Sequence, residues 1–271
     1  MDNSLIRESV RIHYFMQLSS YFSELVDCEG VSFAFSDHVT DTWYNQAYGI
    51  ALDNPNCNQD FSSTIRKCEN VFQARNRTPC FYFTSASVPK NYKTKIRNCG
   101  YDEFDNESWM FFSEDLYVPK RNKKIKIKSV TPRLLDTFAE FYRIGLPGPE
   151  VEGYVKCVLN GFMRKPPLVN IKYYLAFFND VPVGMISLLT MEKYAGLYAV
   201  AVDENYQRMR ICSTLVDTAI QECKKNNIKH IFLQTGYGED SEKAFSQMGF
   251  KTEFVRIGYA QKTVINNLQH G

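Results

Sequence analysis

The chain has no long apolar run. No stretch approaches the roughly 20 residues that a helical membrane span needs, so no membrane partner is expected. Residues 1–15, MDNSLIRESVRIHYF, lack a basic segment followed by an apolar one. A secretory leader is therefore not expected, and the expected location is the cytoplasm. An excess of one charge sign is also missing: 32 Lys and Arg stand against 30 Asp and Glu, a net charge of +2. That argues against a chain-wide electrostatic hold on nucleic acid. Histidine is scarce, with His13, His38, His230 and His270 scattered along the chain. The eight cysteines, Cys28, Cys57, Cys68, Cys80, Cys99, Cys157, Cys212 and Cys223, form no CxxC pair and no paired metal-ligand spacing. No metal is expected, and the thiols are expected to be reduced and mostly buried.

What is present is ordinary globular material, 44% hydrophobic and 23% charged over 271 residues. That is enough for one large domain or two modest ones with a sizeable core. In the first half, periodicity predicts a helix over 4–26, strands over 31–35 and 43–50, and a turn over 53–56. A helix over 61–74 and a strand over 79–84 follow. Ser87-Val88-Pro89 is expected to open another helix with Ser87 as its cap, ending at Cys99-Gly100-Tyr101, and a strand covers 107–112. The segment 115–128, DLYVPKRNKKIKIK, is basic. It is expected to be a solvated connector running into an edge strand with outward lysines, nucleic-acid contact being the lesser alternative. The domain boundary is placed here, giving domains 1–118 and 124–271.

From Ile125 the pattern restarts as β-α-α-β-β-β-α-β-α-β. Asn179-Asp180 is a tight hairpin turn between strands over 171–178 and 181–190, and the last strand covers 251–259. The most informative stretch is 196–218, GLYAVAVDENYQRMRICSTLVDT. Its apolar run 197–202 reads as a buried strand. After a polar turn, a helix is expected from near Gln207, where Ile211, Leu215, Ala219 and Cys223 recur every fourth residue. A strand running by a short turn into a helix aims free N–H groups at one spot, a ready anion site.

This order and these residues resemble the GNAT superfamily of acyl-CoA-dependent N-acetyltransferases, over roughly 125–260. The resemblance is carried by the helix-rich entry, the Asn179-Asp180 hairpin with Gly184 in the next strand, the segment AVAVDENYQRMRICSTLV, and the late segment KAFSQMGF. It is closer to a tandem type with a degenerate N-terminal half, given Leu197-Tyr198-Ala199-Val200-Ala201, Leu233-Gln234, and residues 72–79 before a strand. The fold class implied is α/β with a mixed sheet, as two GNAT-like domains, each a mostly antiparallel sheet flanked by helices.

The resemblance implies acetyl-CoA as cosubstrate and a small-molecule or peptide primary amine as acceptor, by direct attack and without a metal. A catalytically impaired acyl-CoA-binding or scaffold protein of the same fold is the alternative. The family's Gln/Arg-x-x-Gly-x-Gly/Ala phosphate loop falls on Gln207, Arg208, Met209, Arg210, Ile211 and Cys212, with Ser213 in the following turn. The strand Val200, Ala201 and Val202 would offer backbone groups to the pantetheine arm, with Thr235 across from it. Arg210 and Cys212 stand where the family has small residues, and Phe245 where it often has a proton-donating Tyr. Phe has no proton to give, so Tyr237 is the candidate acid and Glu204 the candidate base.

Overall fold

The computed structural model describes residues 1–18, 20–51, 61–164 and 167–268; the turn expected over 53–56 lies outside them. In chain order the first elements are α1 (Asn3–Gln17), β1 (Glu24–Cys28), β2 (Val31–Phe35), β3 (Gln46–Tyr48), α2 (Phe61–Gln73), β4 (Cys80–Phe83), α3 (Tyr92–Asn98) and β5 (Tyr101–Phe112). There follow β6 (Lys126–Ser129), α4 (Leu135–Gly145), α5 (Val151–Arg164), β7 (Asn170–Phe178), β8 (Val181–Met191) and β9 (Tyr194–Val202). The last are α6 (Ile211–Lys225), β10 (His230–Gly236), α7 (Asp240–Ser246), β11 (Phe250–Gln261) and α8 (Lys262–Leu268). The chain groups into two compact units. One takes Met1–Leu18, Phe22–Ser108 and Phe254–Gly271; the other takes Ser19–Tyr21 and Trp109–Glu253.

In the first unit the sheet runs β1-β2-β3-β4-β11. All pairs are antiparallel except β3 with β4. The predicted helix over 4–26 stops at Gln17, and Glu24–Cys28 is strand instead. Glu29 and Gly30 both take positive φ, 51° and 82°. Such a two-residue turn matches strand twist and closes a hairpin, so β1 pairs along its whole length with β2. Cross-strand pairing has overridden the helical period. Ser87 does not cap α3 either: its hydroxyl accepts from the Thr84 N–H at 3.0 Å, and the helix starts at Tyr92. Gly100, at φ 89°, ends α3 as the sequence suggests. The core is aromatic, with Phe72 set edge-on to Phe33, Phe35 and Phe81 at 5.4–5.9 Å.

The last strand also departs from expectation. The sequence pattern assigns 251–259 to the second half, but Ile257–Ala260 pair with Cys80–Phe83 of β4. Arg256, 3% exposed, anchors this strand. It donates to Glu107 through Nε at 2.8 Å, to Gln46 Oε1 at 3.2 Å and to the Tyr14 hydroxyl, and lies 4.1 Å over the Tyr82 ring.

The second unit has the order β10-β9-β8-β7-β6, antiparallel except for β9 with β10. Adjacent residues on a strand face opposite sides, and both sides here are covered. Tyr173 stacks on Phe138 of α4 at 4.7 Å and donates to the Val158 carbonyl of α5, while Tyr174 joins the cluster packed by α6. Asn179 and Asp180, at φ 49° and 61°, form the expected hairpin turn. β6 is the edge strand, with Lys126 and Lys128 exposed and Lys128 lying 4.4 Å over Phe177. Among the described residues no helix is long and apolar enough to cross a membrane.

Candidate functional site: the turn into α6

β9 and β10 pair only over His230–Phe232 with Tyr194–Gly196. Beyond that β9 runs on to Val202 and β10 to Gly236 without pairing to each other, which leaves a wedge between them. A register shift against β8, between Met185 and Ser187, coincides with a left-handed Ala199 at φ 49°. Such a bulge frees backbone groups from the ladder and re-aims the strand. Val200 and Val202 pack toward the α6 side, whereas Ala201 is buried under Gly145 of α4. Thr235 lies on β10 across the wedge, its hydroxyl bonded to the Ser241 hydroxyl.

The helix does not begin near Gln207 as predicted. Residues 204–206 form a single 3-10 turn capped by the Asp203 side chain, and α6 starts at Ile211. Between them Arg208 and Arg210 both take left-handed φ, 62° and 59°, and Arg210 is the N-cap without a side-chain cap bond. Alternation of this kind curls successive N–H groups toward one concave side. The first intrahelical bond runs from Thr214 N to Arg210 O, so the amides of Ile211, Cys212 and Ser213 have no intrahelical acceptor. Gly184 of β8 explains how the helix end comes so close. A Cβ there would stand 2.8 Å from Ile211 Cγ2 and 3.1 Å from the Ala201 carbonyl.

A cavity of about 610 Å³ opens on this turn. Of the residues singled out from sequence, Val202, Gln207, Arg208, Arg210, Ile211, Cys212 and Ser213 line it. Met209 does not; it packs on the core, and its carbonyl accepts from Asn122 Nδ2 at 2.9 Å. Val200, Ala201 and Thr235 lie along the wedge rather than in the cavity wall. Glu204 is exposed and Tyr237 is 60% exposed, and neither lines the cavity. Phe245 packs against the core, 6.2 Å from Phe250.

Sequence reading missed Lys120, Tyr206, Ala244, Gln247 and Met248, which complete the wall. Lys120 belongs to the connector expected to be solvated, but that segment is pinned to α6. Ser213 Oγ donates to the Lys120 carbonyl at 2.7 Å, Asn122 N to Thr214 Oγ1 at 3.0 Å, and Arg121 pairs with the buried Asp217. Asp217 on an otherwise apolar helix face was the available signal. Among the described residues Lys120, Arg208 and Arg210 form no ion pair, and no carboxylate lines the cavity. The cavity potential is therefore positive. Burial pushes the Cys212 thiol up to about 11, so it is protonated at neutral pH. Among the described residues no group of His, Cys, Asp or Glu is placed to hold a metal.

With this geometry in view, the comparisons are consistent. Residues 134–250 match the model of the acetyltransferase (GNAT) family. Solved structures share the fold over most of the chain. A GCN5-related N-acetyltransferase from Kribbella flavida is 13% identical, covers 93% of this chain and 95% of its own, and superposes with a TM-score of 0.68. One from Sphaerobacter thermophilus is 14% identical, over 86% and 81%, at 0.64. A tandem GNAT protein from the clavulanic acid biosynthesis pathway is 11% identical, over 84% and 77%, at 0.61. At such identities the likeness is of fold. No curated protein matches the sequence.

Proposed function

We propose that the chain is an N-acetyltransferase that binds acetyl-CoA at the turn into α6 and transfers the acetyl group to a primary amine of a small molecule or peptide. The observation that carries this is the cavity in which Lys120, Arg208 and Arg210, unpaired among the described residues, and the amides of Ile211, Cys212 and Ser213, which lack an intrahelical acceptor, converge beside the β9–β10 wedge. Oriented N–H groups at a helix start suit a pyrophosphate, and Lys120, Arg208 and Arg210 would add charge-assisted bonds. The pantetheine arm would pair along Val200–Val202 in the wedge, with Thr235 opposite. Backbone N–H groups freed at the Ala199 bulge are available to a developing oxyanion. The neutral amine attacks the thioester carbon directly, the C–S bond breaks, and the departing coenzyme A thiolate takes up the proton that the acylated nitrogen loses. Cys212, held protonated, has no part as an acyl carrier.

The alternative, an acyl-CoA-binding protein with impaired chemistry, is favoured by one observation: Tyr237, Glu204 and Phe245 all lie outside the cavity wall. Titration calorimetry with acetyl-CoA tests the shared part, and no heat at high micromolar ligand sinks both readings. Thiol release with a panel of amines then separates them. We also propose that the first unit is a degenerate copy of the second. Boundaries at 1–118 and 124–271 then describe the order of duplication, whereas packing gives residues from Phe254 on to the first unit.

A further inference from the structure

The first unit has a cavity of its own, about 180 Å³, where α1 crosses the carboxyl ends of the parallel pair β3 and β4. In open α/β sheets that end is where ligands bind. We propose that this cavity is a second binding site, specific for a small carboxylate with a short apolar tail. Its inner wall is apolar and fully buried, formed by Val10, Ile50 and Ala86. Its mouth carries two exposed cations on α1, Arg7 and Arg11, one helical turn apart.

These arginines are not consumed by the fold. Arg7 donates Nε and NH2 to the Ala86 carbonyl at 3.2 and 2.9 Å, which fixes its guanidinium and leaves NH1 without a hydrogen bond among the described residues. Arg11 lies 5.5 Å from the Phe15 ring and, among the described residues, has no ion-pair partner. The third cation, Arg256, is already matched by Glu107 and serves as floor, its guanidinium flat on Tyr82. Among the described residues no acidic one lines the cavity. The nearby acid, Asp27, accepts from the Ser32 hydroxyl at 2.5 Å. Two unmatched guanidinium groups at the mouth select an anion, and their fork geometry suits a carboxylate. The buried wall selects a tail of a few carbons, since a cavity of about 180 Å³ is comparable to one of about 150 Å³ that takes a molecule the size of benzene.

The test is calorimetric titration of the full chain with butyrate, its neutral isostere butyramide, and inorganic phosphate, with and without saturating coenzyme A. The site predicts that butyrate binds in either case and that butyramide binds at least about tenfold more weakly, the loss expected for a charged hydrogen bond. Arg11→Gln and Arg7→Gln should each weaken butyrate about tenfold while coenzyme A titrates as in the parent chain. Arg11 is exposed and carries no structural bond, so its variant decides if Arg7→Gln lowers Tm. Absence of butyrate binding, equal binding of the amide, equal binding of phosphate, or butyrate binding unchanged in Arg11→Gln each overturns the proposal. Butyrate binding does not depend on the coenzyme A reading, so the two can fail separately.

Discussion

Arg210 holds a left-handed backbone at the position where the GNAT phosphate-loop pattern it resembles has glycine. A side chain there costs about 1–2 kcal/mol against a right-handed conformation, and glycine would carry no such penalty. If the guanidinium clamps phosphate, both Arg210→Ala and Arg210→Gly should weaken coenzyme A by about 1–3 kcal/mol. The two should differ in stability, with Arg210→Gly unfolding no earlier than Arg210→Ala in a thermal melt. Affinity unchanged in both variants would mark Arg210 as a bystander. Cys212, the second departure, makes a separate prediction. Its thiol, pushed up to about 11 by burial, carries little thiolate at pH 7.5. Alkylation by iodoacetamide should therefore be slow at pH 7.5 and quicken only as pH climbs toward 11, read by mass spectrometry. Cys212→Ala should retain turnover. The departures themselves were legible, because each is one residue set against a short spacing. The fates of Tyr237 and Glu204 were not, because nearness in sequence to a loop does not say which way a side chain turns.

At the scale of elements, the turn works because a strand lets a helix end come close. Gly184 is the contact point, and its alanine variant would put Cβ against Ile211 Cγ2 and Leu215 Cδ1 at 2.8 and 3.1 Å. Overpacking of this kind costs about 1–3 kcal/mol. Gly184→Ala should lower stability by that order in denaturant unfolding, and it should weaken coenzyme A as well, since Ile211 carries the first free amide. Loss of stability without loss of affinity would show that the turn tolerates the shift. The sequence showed the strand, the turn and the helix here, but placed the helix start four residues early. Helical periodicity reports which residues face the core, and it begins only at Ile211; Gln207, Arg208 and Arg210 are exposed and add nothing to the stripe. The connector held a comparable surprise. A run of lysines reads as solvated, yet backbone bonds around Asn122, and the Arg121–Asp217 pair, tie it to α6.

For the molecule as a whole, each unit combines an antiparallel run with one parallel pair. The first unit also carries a buried histidine. Burial, and then the charge of Arg256, hold His13 well below its usual range, so it folds neutral. On unfolding it returns to about 6.5. Below that pH the unfolded chain binds a proton that the folded chain does not. Stability from this group is therefore complete above about pH 6.5 and falls by up to about 1.4 kcal/mol per pH unit beneath it, until folded His13 itself titrates. His13→Gln should flatten the fall of Tm between pH 6.5 and 5. An identical fall in the variant would place the sensitivity elsewhere.

Local rules were enough to determine the order of elements from Ile125 on, the hairpin at Asn179-Asp180, the glycine stop at Gly100 and most of the loop that lines the larger cavity. Each depends on residues close together in the chain, so spacing carries the information. The tertiary structure alone decided that Glu24–Cys28 is a strand, that Ile257–Ala260 pair with β4, and that Lys120 stands beside Arg208 and Arg210. A strand's alternating pattern states which face is buried but not which neighbour it takes. A lysine's charge likewise does not reveal the distant carbonyls and hydroxyls that hold its backbone in place.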